Sequence, residues 1–363
     1  MIILHVINIP LFSATAYYAL NTALAQKQAG CEVFIAGELN SLVLERANLL
    51  GLNNLFLLRV CTPNIFFKIL SLFKLKKLIE KNSIDVVNVY AENGLCFLEK
   101  GAKWAVRTPL FVRTIGNAST SLSQLRYGVI VTSRFIKDKL RNTTGFKEKL
   151  CKLIPPSVDT EFFKRNSALN ETSTSANASD PFPVFGLVGS LDKNKGHFLV
   201  MKALKILVAK GYNVRCVIAG PEKEVKYEEL KNFARDEKLT QRIFFLGKVS
   251  DIRDVYRICD CGIIASTGSE SGCHVALEFM AMRIPVIASR VNGMPDVIPD
   301  DAGCAFFESG DVDSLAEQME NFLSCHANWH GWKTSVRSYV TANHSLSKLA
   351  TESLSYYKSF DKV

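Results

Sequence analysis

The stretch ESGCHVALEFMAMRIPVIAS, residues 270–289, reads as a small apolar helix that closes near Pro285 and leads into a buried strand. Two carboxylates, Glu270 and Glu278, stand eight positions apart around it. Working back from here, the same alternation recurs. PVFGLVGS, a helix over 196–210, VRCVIAG, a helix over 222–237, RIFFLG and CGIIAS follow one another before the quoted segment. Strands alternating with helices predict a doubly wound parallel sheet covered on both faces.

The first half repeats the pattern. IILHVI (2–7) is followed by a helical stretch through Gln28, with Gly30 where a helix C′ residue belongs. CEVFIAG, IDVVNVYA (84–91), LFVRTI (110–115) and YGVIVTS (127–133) read as further strands. Between the two series lies RNSALNETSTSANASDPFP (165–183), whose Ser, Thr, Asn and Pro content predicts a linker or loop. The expected architecture is therefore α/β, with two Rossmann-like domains at 1–164 and 184–344. A cleft between them would take ligands at the carboxyl ends of the strands.

The 363 residues are 48% hydrophobic, enough for two cores, and no run reaches the roughly 18 apolar residues that span a bilayer. The opening MIILHVINIPLFSATA lacks a basic start and is interrupted by Pro10, so it reads as a first strand rather than an export signal. Ten cysteines without a CxxC pair suit reduced thiols in the cytoplasm.

Charge is unevenly shared. Residues 1–164 carry 21 Lys and Arg against 11 Asp and Glu, a net of +10; the remainder carries 23 against 24, a net of −1. A basic first half attracts acidic partners, but no motif that reads bases accompanies it, so nucleic acid is not an expected partner. NIFFKILSLFKLKKLIEKN (64–82) sets Phe66, Ile69, Leu70, Phe73 and Leu78 at helical spacing among Lys68, Lys74, Lys76, Lys77 and Lys81. It is either a surface helix packed on the sheet or an interfacial helix touching an acidic membrane surface.

Several stretches of the second half, taken in order, resemble the retaining glycosyltransferases of the family-4 type. They are VGSLDKNKGH, VRCVIAGPE, IFFLGKVSD, the Glu270-x7-Glu278 segment and SRVNGMPDVI. Earlier, VIVTSRFIKDKL and LIPPSVDTEFF are similar to elements that close that family's first domain. The resemblance covers about 127 to 323. It implies the GT-B fold of two facing Rossmann-like domains, with the last helix, within 345–363, returning to complete the first. It also implies a retaining hexosyltransferase that uses a nucleotide-sugar donor and a lipid-linked or surface-polysaccharide acceptor (lipopolysaccharide, capsule or exopolysaccharide). Such an enzyme works by front-face displacement without a metal or other cofactor, in the cytoplasm or on the inner face of its membrane. A non-catalytic sugar-nucleotide-binding partner and a GT-B-fold epimerase are the alternatives.

The resemblance also implies site residues. Lys195, Glu270 and Glu278 are the catalytic candidates. Gly189, Ser190, Lys195, Lys248, Val249, Glu270, Gly272, Cys273, His274, Val275 and Glu278 are expected to hold the donor. Lys195 would meet the diphosphate as a point charge. Gly272, Cys273 and His274 would offer free N–H groups at a positive helix end. Eight residues of helix span about 12 Å, so Glu270 would serve the sugar and Glu278 the ribose. His274 is either a phosphate contact or a tolerated side chain. On the acceptor side the candidates are Phe12, Ser13, Arg113 and Asn117.

The chain departs from the family at named positions. Ser190 stands where the family often has an arginine, so one cation is missing, and Lys193 and Arg134 are the candidate replacements. No histidine follows the 110–115 strand. Arg283 stands where a helix-ending glycine is usual, at about 1 kcal/mol if it must be left-handed. His5, inside a strand, reads as core. Asp311-Val312-Asp313 precedes SLAEQMENFL and reads as a helix cap rather than a metal site.

Overall fold

Continuous apolar runs form parallel strands buried on both faces, and the helices between them cover those faces. The computed structural model describes the chain except for residues 10–12, 39–40, 60–63, 91–102, 104, 107–108, 117–127, 143–145, 166–181, 269–272, 302 and 361–363, and except for the side chain of His326. Two units divide the chain: Met1–Ser157 with Ser345–Val363, and Val158–His344.

The first unit runs β1 (Ile2–Val6), α1 (Ala14–Gln28), β2 (Glu32–Gly37), α2 (Leu42–Leu49), β3 (Leu55–Leu57), α3 (Ile65–Asn82), β4 (Val86–Val89), β5 (Leu110–Ile115), β6 (Gly128–Val131), α4 (Arg134–Arg141) and β7 (Cys151–Leu153). Its described strands form one parallel sheet in the order β3-β2-β1-β4-β5-β6-β7. The second unit runs β8 (Val184–Val188), α5 (His197–Ala209), β9 (Arg215–Ala219), α6 (Tyr227–Asp236), β10 (Ile243–Gly247), α7 (Ile252–Arg257), β11 (Cys261–Ile264), α8 (His274–Ala281), β12 (Val286–Ser289), β13 (Ala305–Phe307), α9 (Val312–Ser324) and α10 (Trp329–Asn343). Its described strands are parallel in the order β10-β9-β8-β11-β12-β13. In each sheet the order reverses once, between β1 and β4 and between β8 and β11. Such reversals leave a crevice outside the carboxyl ends of the two strands.

The strands expected from sequence are present. Three that were not expected, β3, β7 and β13, are three-residue edge strands at or beside the sheet margins. The domain boundary is corrected from 164 to 157. Val158 and Phe163 are buried in the second unit's core, Val158 N–H donates to His344 O at 2.8 Å, and the Arg337 guanidinium donates to Thr160 O and Phe163 O.

α11 (Leu346–Lys358) belongs to the first unit. It buries Leu346, Leu349, Ala350, Tyr356 and Tyr357 against α1 and the sheet. A buried large side chain of this kind stabilises by about 1.5–3 kcal/mol. The join is also polar. Gln26 Nε2 donates to Ser353 Oγ at 2.9 Å, and Asn88 Nδ2 donates to the Tyr357 hydroxyl at 2.8 Å. Gln26 Oε1 and the Tyr90 hydroxyl lie 2.8 and 3.0 Å from the two ring nitrogens of His5. The Tyr356 hydroxyl accepts from Val129 N–H and donates to Leu150 O. A satisfied network of this kind ties the C-terminal helix to one register.

Burial pushes the His5 pKa down to about 4, against the hydrogen bond the ring donates to Gln26 Oε1, which favours the charged ring. The unfolded chain takes up that proton near pH 6.5 and the folded chain only near pH 4. His5 therefore contributes no penalty above pH 6.5, and the first unit loses about 3 kcal/mol through it as pH falls from 6.5 to 4. Urea unfolding across that window is expected to show the loss, and a His5→Gln variant a flatter profile. Parallel profiles would remove His5 as the cause.

Candidate functional site

The described donor-side candidates lie at the carboxyl edge of the second sheet. Gly189 N–H donates to Ala219 O and Gly220 N–H to Gly247 O, each at 2.9 Å, so the turns after β8, β9 and β10 are bonded in a row. Leu191 N–H to Pro221 O and Val225 N–H to Leu191 O extend the seam. This row carries Gly189, Ser190, Lys248 and Val249. Lys248 is exposed, while Val249 packs into the apolar cluster that includes Cys273, Ala276 and Leu277.

Across the reversal point, the turn after β8 is sewn to the turn after β11. Thr267 N–H donates to Asn194 O at 2.8 Å. Gly196 follows with φ +73°, and a Cβ built there would lie 2.1 Å from Ala265 O. Only glycine permits this approach. Ser266 O accepts the Ser289 hydroxyl at 2.6 Å, which holds the β11 end from the other side. Lys195, half-buried, thus sits beside the loop that leads toward α8.

The Ser190 hydroxyl donates to Asp192 Oδ2, and Lys223 Nζ lies 2.8 Å from Asp192 Oδ1. Burial opposes the Asp192 charge, but hydrogen bonds from Lys223 and Ser190, with the charges of Lys223 and Lys195, hold its carboxyl below the usual range. Lys193 is exposed and its N–H donates to Glu224 Oε2, and Arg134 opens α4 in the other unit. Lys223 is brought to the Ser190 turn through Asp192. His197, the first residue of α5, is pushed down to about 4 by burial, opposed by Asp192 and reinforced by Lys195. It is neutral at pH 7.

α8 begins one or two residues later than expected, with Cys273 as its N-cap and His274 as its first residue. The N–H groups of His274, Val275 and Ala276 therefore have no acceptor inside the helix. Glu270 and Gly272 lie outside the described residues. Glu278 is buried at 8% exposure and accepts a hydrogen bond from the Tyr256 hydroxyl. Tyr256 is buried and packs edge-on to Phe279 at 4.6 Å. Sequence reading missed Tyr256, because nothing in local spacing links residues 22 positions apart. The Phe279 ring approaches Gly262 so closely that a Cβ there would meet it at 2.6 Å, which brings α8 down onto β11. The helix closes with Ile284 N–H on Phe279 O and with Arg283 at φ +64°, the left-handed conformation expected at that position.

On the acceptor side, the Ser13 side chain caps α1 by accepting from Ala16 N–H. Arg113 is 4% exposed within β5, in register with Val89 and Val129. Phe12 and Asn117 lie outside the described residues. Asp311 caps α9, its Oδ1 accepting from Asp313 N–H at 2.9 Å and Ser314 N–H at 3.0 Å. The described residues contain no group of three or more His, Cys, Asp or Glu suited to a metal ion.

Known proteins resemble this chain in sequence and in fold. Residues 170–337 match the family model "Glycosyl transferases group 1". The chain is 27% identical over 198 residues to the capsular polysaccharide biosynthesis glycosyltransferase CapM of Staphylococcus aureus, covering 54% of this chain and 49% of that protein. It is 26% identical over 234 residues to the lipopolysaccharide 1,2-N-acetylglucosaminetransferase of Salmonella typhimurium, covering 61% and 59%. The chain thus spans between about half and three-fifths of the length of these relatives. Among solved structures, a glycosyltransferase from Rickettsia africae superimposes with a TM-score of 0.83 at 19% identity, covering 99% of this chain and 98% of that one. Anabaena HepE in complex with UDP also gives 0.83, at 14% identity over the full length of both chains. These likenesses show the fold, which is GT-B. Through residues 170–337, the chain is similar to the glycosyl transferases of group 1.

Proposed function

We propose that this protein moves a sugar from a nucleotide diphosphate sugar to an acceptor with retention at the anomeric carbon. The observation that carries the reading is the seam at the strand-order reversal, where the Lys195 loop is bonded to the turn that leads toward α8 and Glu278. The bond from the anomeric carbon to the diphosphate oxygen breaks. The acceptor oxygen bonds that carbon on the same face, and its proton passes to the departing diphosphate. The charge that develops there is met by Lys195 and by the N–H groups opening α8, rather than by a metal or another cofactor. Glu278, oriented by Tyr256, takes the ribose hydroxyls, and Glu270 faces the transferred sugar.

The names of the relatives support a surface-polysaccharide acceptor of the capsule or lipopolysaccharide kind. The UDP and UDP-glucose complexes of HepE make UDP-sugars the first donors to try. A non-catalytic donor-binding role is favoured by one observation, the Ser190–Asp192 pair where the family carries an arginine. Turnover separates the two readings.

The test is a thermal-shift panel of UDP-, GDP-, ADP- and dTDP-sugars on the wild type and on Glu278→Ala. A ligand present at about 100 times its Kd stabilises the native state by roughly 2.7 kcal/mol. One nucleotide series should raise the wild-type Tm and leave the variant unmoved. No shift with any nucleotide at millimolar concentration sinks the donor assignment.

A further inference from the structure

We propose that the outer face of α3 docks the protein on a bilayer surface rich in anionic lipid. The inner face of this 18-residue helix is fully used: Leu72, Leu75, Leu78 and Ile79 are buried, and the last three pack with Leu4, Val6, Phe34 and Val87. Its buried polar residue, Ser71, is satisfied by Arg59 N–H and Arg59 O at 2.9 and 3.2 Å. The outer face is exposed. Ile65, Phe66, Ile69, Leu70 and Phe73 are 56, 66, 43, 39 and 57% exposed. Five large apolar side chains over the first half of one helix face form a continuous patch, and patches of that kind mark interaction surfaces.

The second half of the same face changes character. Phe66, Leu70, Phe73, Lys77 and Lys81 follow one another at steps of three or four, so the exposed lysines continue the apolar stripe. Lys74 is exposed beside them, and Lys76 is paired with Glu80 at 3.7 Å. An apolar wedge continued by ammonium groups fits a surface that offers acyl chains beneath phosphate charges. A second copy of the chain fits poorly, because the one carboxylate of α3, Glu80, is already paired with Lys76, so a copy of this face offers nothing acidic to Lys74, Lys77 and Lys81. The charge of the surroundings argues the same way, since residues 1–164 carry a net of +10. No described helix is long and apolar enough to cross a membrane, so the contact is one of lying on the surface. The proposal deepens the transfer reading only in placing a lipid-linked acceptor within reach; the docking itself stands on α3 alone.

The experiment is co-sedimentation of the full-length chain with phosphatidylcholine vesicles, with and without phosphatidylserine. The wild type is expected to pellet at least about tenfold better with phosphatidylserine present, and added salt should weaken binding. Phe66→Ser with Phe73→Ser, and separately Lys74→Gln with Lys77→Gln and Lys81→Gln, should each cost about tenfold in partitioning. Wild type that stays in the supernatant with anionic vesicles overturns the proposal, as do variants that bind like wild type. So does a dimer that the phenylalanine pair dissolves while vesicles capture nothing. Both variants keep the nucleotide-sugar thermal shift, so loss of docking and failure of the donor assignment are read separately.

Discussion

Lys195→Ala is expected to transfer sugar about 10²–10³ times more slowly than the wild type, with the loss mainly in kcat. The reason is electrostatic. The diphosphate gains charge as the glycosidic bond breaks, so an ammonium held at that point stabilises the transition state more than the bound donor. The fold fixes the backbone on either side of Lys195: Thr267 N–H bonds Asn194 O, and Gly196 is tucked beneath Ala265 O. Lys193, two residues away, is the internal control. It is exposed, and only its backbone N–H is bonded, to Glu224. Lys193→Ala should stay within about threefold of wild type, as surface changes away from special features usually do. Nucleotide release measured at saturating donor decides the matter, and equal rates for Lys195→Ala and wild type would remove the lysine from the chemistry.

Gly196→Ala is expected to be among the most damaging single-methyl changes in the second unit, with Gly220→Ala, whose built Cβ would lie 1.8 Å from Gly189 O. At Gly196 two costs add: φ is +73°, and the new Cβ would lie 2.1 Å from the Ala265 carbonyl oxygen, a backbone atom that cannot swing aside. A loss of about 3 kcal/mol or more follows, which in a unit of this size lowers Tm by roughly 6–12 °C. Gly211→Ala isolates the first cost, because Gly211 has φ +90° and nothing within 4 Å of a built Cβ. It should lose only about 1 kcal/mol. Melting both variants tests the account, which fails if the two melt together. The surviving Gly196→Ala protein should also bind donor poorly, because Lys195 is displaced with its loop.

Much of this protein is written in short-range pattern. The buried strands announce themselves as β-branched runs, Gly30 ends α1 with φ +86°, Asp311 caps α9, and Arg283 takes the left-handed φ its position demands. Each depends on residues within four or five positions, where steric and hydrogen-bond preferences are local. The three edge strands β3, β7 and β13 escaped because three residues are too few to display a period.

What only the tertiary structure decided are the partnerships. Tyr256 meets Glu278 because α7 and α8 pack in one apolar cluster beside the strand-order reversal, and Lys223 reaches Asp192 because the turns after β8 and β9 are bonded side by side. Gln26 finds Ser353 across 327 positions once α11 lies on α1. Such contacts follow from strand order and helix docking, which are settled by the burial of whole faces. The pattern of residues determined which elements form and which faces are apolar; the packing of those faces determined which polar side chains would stand next to one another.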